Sequence, residues 1–69
     1  MKLSARNQIP AKVIAVTAGE ATANIELDAS GSRLVASITV EAANELKLKP
    51  GTEVTAVIKA SDVIIAVGD

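Results

Sequence analysis

The side chains best able to bind a ligand sit near the two ends of the chain. "SARNQ" sets the Ser4 hydroxyl, the Arg6 guanidinium and the Asn7 and Gln8 amides almost side by side. "IKAS" places Lys59 next to Ala60 and Ser61 after an apolar run, and Thr39 adds a hydroxyl where alternation gives way to a helical pattern. Hydroxyls, guanidinium, ammonium and backbone N–H groups together are the chemistry that holds an oxyanion. A threonine opening a helix adds to it, because unpaired N–H groups and the dipole there favour negative charge. Taken singly, each has a plainer explanation: a solvated N-terminus, a lysine reaching out from a barrel rim, an ordinary N-cap.

Other chemistries are poorly served. Histidine and cysteine are absent, which removes the usual neutral-pH base, the common soft metal ligands and any disulfide. The carboxylates are scattered singly, so neither a catalytic pair nor an oxygen-rich cation loop is expected. An enzyme is therefore not expected. Nucleic-acid binding on a small barrel relies on aromatic platforms and a basic groove. This chain has no Phe, Tyr or Trp and a net charge of −1. No apolar run approaches the roughly 20 residues of a membrane span. Lys2 is followed by polar residues rather than a signal-peptide core, so a cytoplasmic location is expected.

The elements that must position these groups read mostly as strands. "AKVIAVT" (11–17), beginning near Ile9, is the first, with Pro10 at its start. "TANIELD" (22–28) alternates, with Ile25 and Leu27 on one face. "ASGS" (29–32) turns the chain back into "RLVASIT" (33–39), a hairpin partner with Leu34, Ala36 and Ile38 on one face. A short helix follows, N-capped by Thr39, with Glu41 in its first turn, Lys47 and Lys49 near its end, and Pro50-Gly51 as its stop. "TEVTAVIKAS" (52–61) and "VIIAV" (63–67) complete a count of five strands. The pattern predicts an all-β fold with one short helix, an OB-like five-stranded β-barrel. The chain is a single domain, residues 1–69.

Size adds a constraint. At 69 residues, 49 % hydrophobic but without aromatics, the chain has a thin core. Small scaffolds of this kind rely on a staple, and with no disulfide or metal available that leaves partner subunits. A homo-oligomer is expected.

"KLSARNQIPAKVIAV" and "EVTAVIKASDVIIA" together closely resemble the ends of the molbindins, small molybdate-binding proteins built from one Mop domain. The same domain recurs in tandem in molybdate-responsive regulators and molybdate-transporter ATPases. "ITVEAANELKLKPGTEV" resembles its helix-and-turn segment, so the likeness covers essentially the whole chain. It implies a hexamer, a trimer of dimers, that binds molybdate, and also tungstate, between subunits for storage or homeostasis. It implies that Ser4, Ala5 and Arg6 approach the anion from one subunit and Thr39, Lys59, Ala60 and Ser61 from a neighbour. Ala5 and Ala60 would act through their N–H groups. Two positions depart from relatives: Ala42 stands where regulators can carry serine, and Pro10-Ala11 replaces a glycine-containing stretch after "NQ". The competing reading is a small dimeric swapped-hairpin DNA-binding or antitoxin-like module, which also uses an "LKPGTEV"-like turn. The net charge and the lack of a basic cluster beyond Lys47 and Lys49 weigh against it.

Overall fold

The computed structural model describes residues 2–68. Its elements are β1 (Asn7–Ala18), β2 (Thr22–Ala29), β3 (Ser32–Thr39), α1 (Val40–Glu45) and β4 (Glu53–Ile58), followed by a 3-10 turn at Ala60–Asp62. The four strands form one antiparallel sheet in the order β3-β2-β1-β4.

β2 and β3 pair in unbroken register from Thr22↔Thr39 to Ala29↔Ser32. The strands run further into "ASGS" than the sequence pattern suggests, leaving a two-residue turn. Its residues, Ser30 and Gly31, have φ of 53° and 93°. Positive φ at both central positions matches the right-handed twist of the flanking strands. The Gly31 N–H donates to Asp28 Oδ1 at 2.9 Å and fixes the turn.

β1 serves two partners in succession. Residues 7–12 pair with β4 and residues 12–18 with β2. The register slips between Val13 and Ala15, so Ile14 is an extra residue in the ladder. A bulge of this kind bends a strand and increases its twist. The chain before β4 is clasped at the same point: Val13 N–H donates to Thr52 O at 2.9 Å, and Gly51 N–H to Val13 O at 2.8 Å. Pro10 lies inside β1 rather than at its start, in the stretch that has only β4 alongside. A strand tolerates the missing N–H where one side is unpaired.

The helix begins as the sequence predicts. Thr39 Oγ1 accepts from the Ala42 N–H at 3.0 Å. It ends sooner, after six residues, and none of its last turn is basic. Lys47 lies beyond it with φ of 53°. Its N–H donates to Asn44 O and the Leu48 N–H donates to Ala43 O, each at 3.1 Å. This is the Schellman pattern, with lysine where glycine is usual. Lys47 therefore closes the helix by its backbone, not by lying alongside the last carbonyls.

Val13, Ala23, Ile25, Leu27 and Ala43 form the buried cluster. Leu34, Ala36, Ile38, Val54 and Ala56 pack against it half-buried, as the alternation predicts. The sheet does not close on itself. Its two outer strands, β3 and β4, face an open apolar groove of about 440 Å³ lined by residues such as Leu34, Ile38, Val54 and Ile58.

The C-terminal segment departs most from expectation. β4 ends at Ile58 instead of running to Ser61, and Val63–Val67 forms no strand. The 3-10 turn redirects the chain, with Asp62 N–H donating to Lys59 O at 2.9 Å. Beyond it Ile64 is 91 %, Ile65 79 % and Val67 87 % exposed. One chain thus supplies four strands of the sheet, and the expected fifth has no partner strand among the described residues.

Candidate functional site

The β1–β4 ladder decides which groups meet. Its last pair is Asn7↔Ile58. The chain entering β1 and the chain leaving β4 therefore lie side by side past that pair. Ser4, Ala5, Arg6, Lys59, Ala60 and Ser61 line one open pocket of about 420 Å³. Two groups 51 residues apart at the Asn7–Ile58 link are neighbours in space because their strands are.

Two side-chain amides hold the pocket's backbone. Asn7 Nδ2 donates to Ile58 O at 3.2 Å, across the ladder. Gln8 Nε2 donates to Ala5 O at 3.0 Å, within the N-terminal segment. The sequence counts Asn7 and Gln8 simply as two more donors. Which acceptors they take depends on pairing β1 with β4, and no local pattern reveals that.

The pocket carries positive charge on a chain whose net charge is −1. Arg6 and Lys59 line it and no carboxylate does. Among the described residues the one ion pair is Arg33 with Glu26 at 2.7 Å, on the hairpin, so neither pocket cation is engaged in one. Ser4 and Ser61 add hydroxyls. All of these polar residues are exposed, and Ala5 is half-buried. Among the described residues no three acidic side chains converge as a metal site needs.

Thr39 is not in this pocket. It pairs with Thr22, toward the Ala18 end of β1, whereas the pocket adjoins the Asn7 end. The separation along β1 is on the order of 30 Å. The resemblance divides the other two groups between subunits, Ser4–Arg6 on one and Lys59–Ser61 on the next. In the structure both groups line the same pocket of one chain, because β1 and β4 are adjacent. Thr39 alone is left apart.

The structure is thus a small, open antiparallel sheet with one capped helix and, where the chain's two ends meet, a pocket that Arg6 and Lys59 make positive. The TOBE domain model matches residues 3–65. Molybdenum-pterin-binding protein 3 of Clostridium pasteurianum is 46 % identical over 66 residues, which are 94 % of this chain and 97 % of that protein. A molybdate-binding protein from Sporomusa ovata superposes with a TM-score of 0.93 at 39 % identity, covering 97 % of this chain and all of the other. The cytoplasmic molybdate-binding protein ModG, in a form with molybdate bound, superposes with a TM-score of 0.88 at 42 % identity, covering 93 % of this chain and 46 % of its own. The chain belongs to the TOBE-domain family and, within it, to the molybdenum-pterin-binding (Mop) proteins.

No helix among the described residues is long and apolar enough to cross a membrane.

Proposed function

We propose that this protein binds molybdate, with tungstate also accepted, for storage or homeostasis in the cytoplasm. It acts as a binding protein and not as an enzyme. The observation that carries this reading is the pocket itself: two cations, two hydroxyls and two stretches of backbone, with no carboxylate. The names of the relatives support the choice of anion.

Molybdate arrives with its metal already saturated by oxygen, so the protein needs neither imidazole nor thiolate to hold it. What it must supply is hydrogen bonds, since taking a dianion out of water without them is costly. In this reading Arg6 and Lys59 contribute charge, Ser4 and Ser61 hydroxyls, and Ala5 and Ala60 backbone N–H groups. A single open pocket leaves the anion wet. A neighbouring subunit that covers it, bringing Thr39, would complete the shell.

The same chain features support a homo-oligomer, a hexamer built as a trimer of dimers. Val63–Val67 is apolar, exposed and strand-like in composition. The groove between β3 and β4 is apolar and open at two strand edges. Seating that segment from a second copy in the groove would close a five-stranded OB-like barrel and bury both surfaces.

The test is native mass spectrometry with molybdate or sulfate, followed by calorimetric titration of Ser4→Ala and Arg6→Ala. A hexamer that takes up discrete molybdate ions, more weakly in both variants, supports the proposal. A dimer that ignores molybdate but retains duplex DNA at low salt would replace it with the swapped-hairpin reading.

A further inference from the structure

The strand registers place four charged residues in one row across the whole sheet. Asp28 pairs with Arg33 on one side and with Lys12 on the other, and Lys12 pairs in turn with Glu53. Cross-strand partners share a face of the sheet, and all four residues are exposed. From β3 to β4 the signs run plus, minus, plus, minus. Among the described residues only Arg33 is in an ion pair, and its partner at 2.7 Å is Glu26, outside the row. Lys12, Asp28 and Glu53 instead line an open pocket of about 350 Å³, with Pro10 and Ser30 beside them. Three charges of alternating sign thus stand next to one another with room left for a further group.

From this we infer that the charged face docks on the same face of a second copy of the chain. Read backwards, the row is its own complement, which is what a two-fold contact requires. A two-fold axis parallel to the strands, midway between β1 and β2, sets β1 of one copy over β2 of the other and β3 over β4. Arg33 then faces Glu53 of the second copy, and Lys12 faces Asp28. A two-fold axis along the row itself would set like on like, so the charges select one orientation. Stacked sheets lie ~10 Å apart, and every facing pair includes one long cationic side chain to span the gap. Exposed charges contribute orientation more than affinity. The row therefore decides how copies face each other, while apolar burial elsewhere holds them. This inference rests on the homo-oligomer reading: a trimer of dimers needs two kinds of contact, and the segment in the groove supplies one.

The test compares the parent with Lys12→Glu, Asp28→Lys and the double variant, by native mass spectrometry over a dilution series at low salt. Within one sheet the three variants are equivalent, since each leaves one opposite and two like neighbours along the row. Across two copies they differ. Either single variant sets like charges against each other at both Lys12–Asp28 contacts, whereas the double variant restores opposite charges throughout. Each single variant should therefore fall to smaller species at a concentration about tenfold higher than the parent, and the double variant should match the parent. The two single variants move the net charge in opposite directions, so overall repulsion cannot explain a loss in both. Asp28→Lys also removes the turn bond to Gly31, but the double variant carries that loss too. Single variants that assemble like the parent would overturn the inference. So would a double variant that assembles no better than the single ones. A parent that is itself monomeric would overturn the oligomer reading, and this contact with it.

Discussion

The β2–β3 hairpin and the C-terminal segment are made of similar material and meet opposite fates. In the hairpin, Ala23 and Ile25 of β2 are 1 % and 2 % exposed, and their β3 neighbours Leu34, Ala36 and Ile38 are half-buried against them. In the segment after the 3-10 turn, Ile64 is 91 % exposed although it is the same residue type as Ile25. The difference lies in available partners. The hairpin brings its own opposite strand through a two-residue turn, whereas the C-terminal segment follows a turn that points it off the sheet. Apolar alternation selects strand conformation, but it does not supply an edge to pair with.

The sharpest way to break this comparison is to charge the exposed segment. Ile64→Glu together with Ile65→Glu leaves the contacts of one chain almost untouched, yet should abolish assembly, read as a shift from oligomer to monomer by sedimentation. A variant that stays fully assembled would show that those residues are truly solvent-facing. Next in size, Ile25→Ala should cost ~2–5 kcal/mol in denaturant unfolding, because the cavity lies in the best-packed part of the core. Thr39→Ala removes the helix cap and should cost ~1 kcal/mol, also read from unfolding. If the threonine contacts ligand in the assembly, molybdate affinity falls as well. Lys47→Gly should raise stability by ~0.5–1 kcal/mol, since it relieves a left-handed lysine in the Schellman motif. Smallest of all, Arg33→Ala removes an ion pair whose arginine side chain is 66 % exposed. It should change stability by less than ~0.5 kcal/mol, an effect that disappears in high salt.

The parts of the fold legible in the sequence are those decided locally. The faces of β2 and β3 follow from alternation, and Thr39 is found as the N-cap. The end of α1 was less legible, because "LKLK" reads as helix with favourable cations while a left-handed Lys47 depends on tertiary packing. β1 begins at Asn7, ahead of the start near Ile9 that the alternation indicates, for a related reason. Asn7 and Gln8 have low strand propensity, and they are strand residues because β4 lies beside them. Of the candidate site, the donors at both ends were visible as residue types. That Ser4–Arg6 and Lys59–Ser61 share one chain's pocket, while Thr39 lies near the far end of β1, depends on strand order, which local patterns do not carry.

The link between Asn7 and Ile58 spans 51 residues of chain. An anion seated just beyond it would act as a removable crosslink, closing a loop that contains nearly the entire sheet. Each tenfold excess of free ion over its dissociation constant would then add ~1.4 kcal/mol to the resistance against unfolding. The protein's resistance to unfolding would thereby report how much of the ion is present.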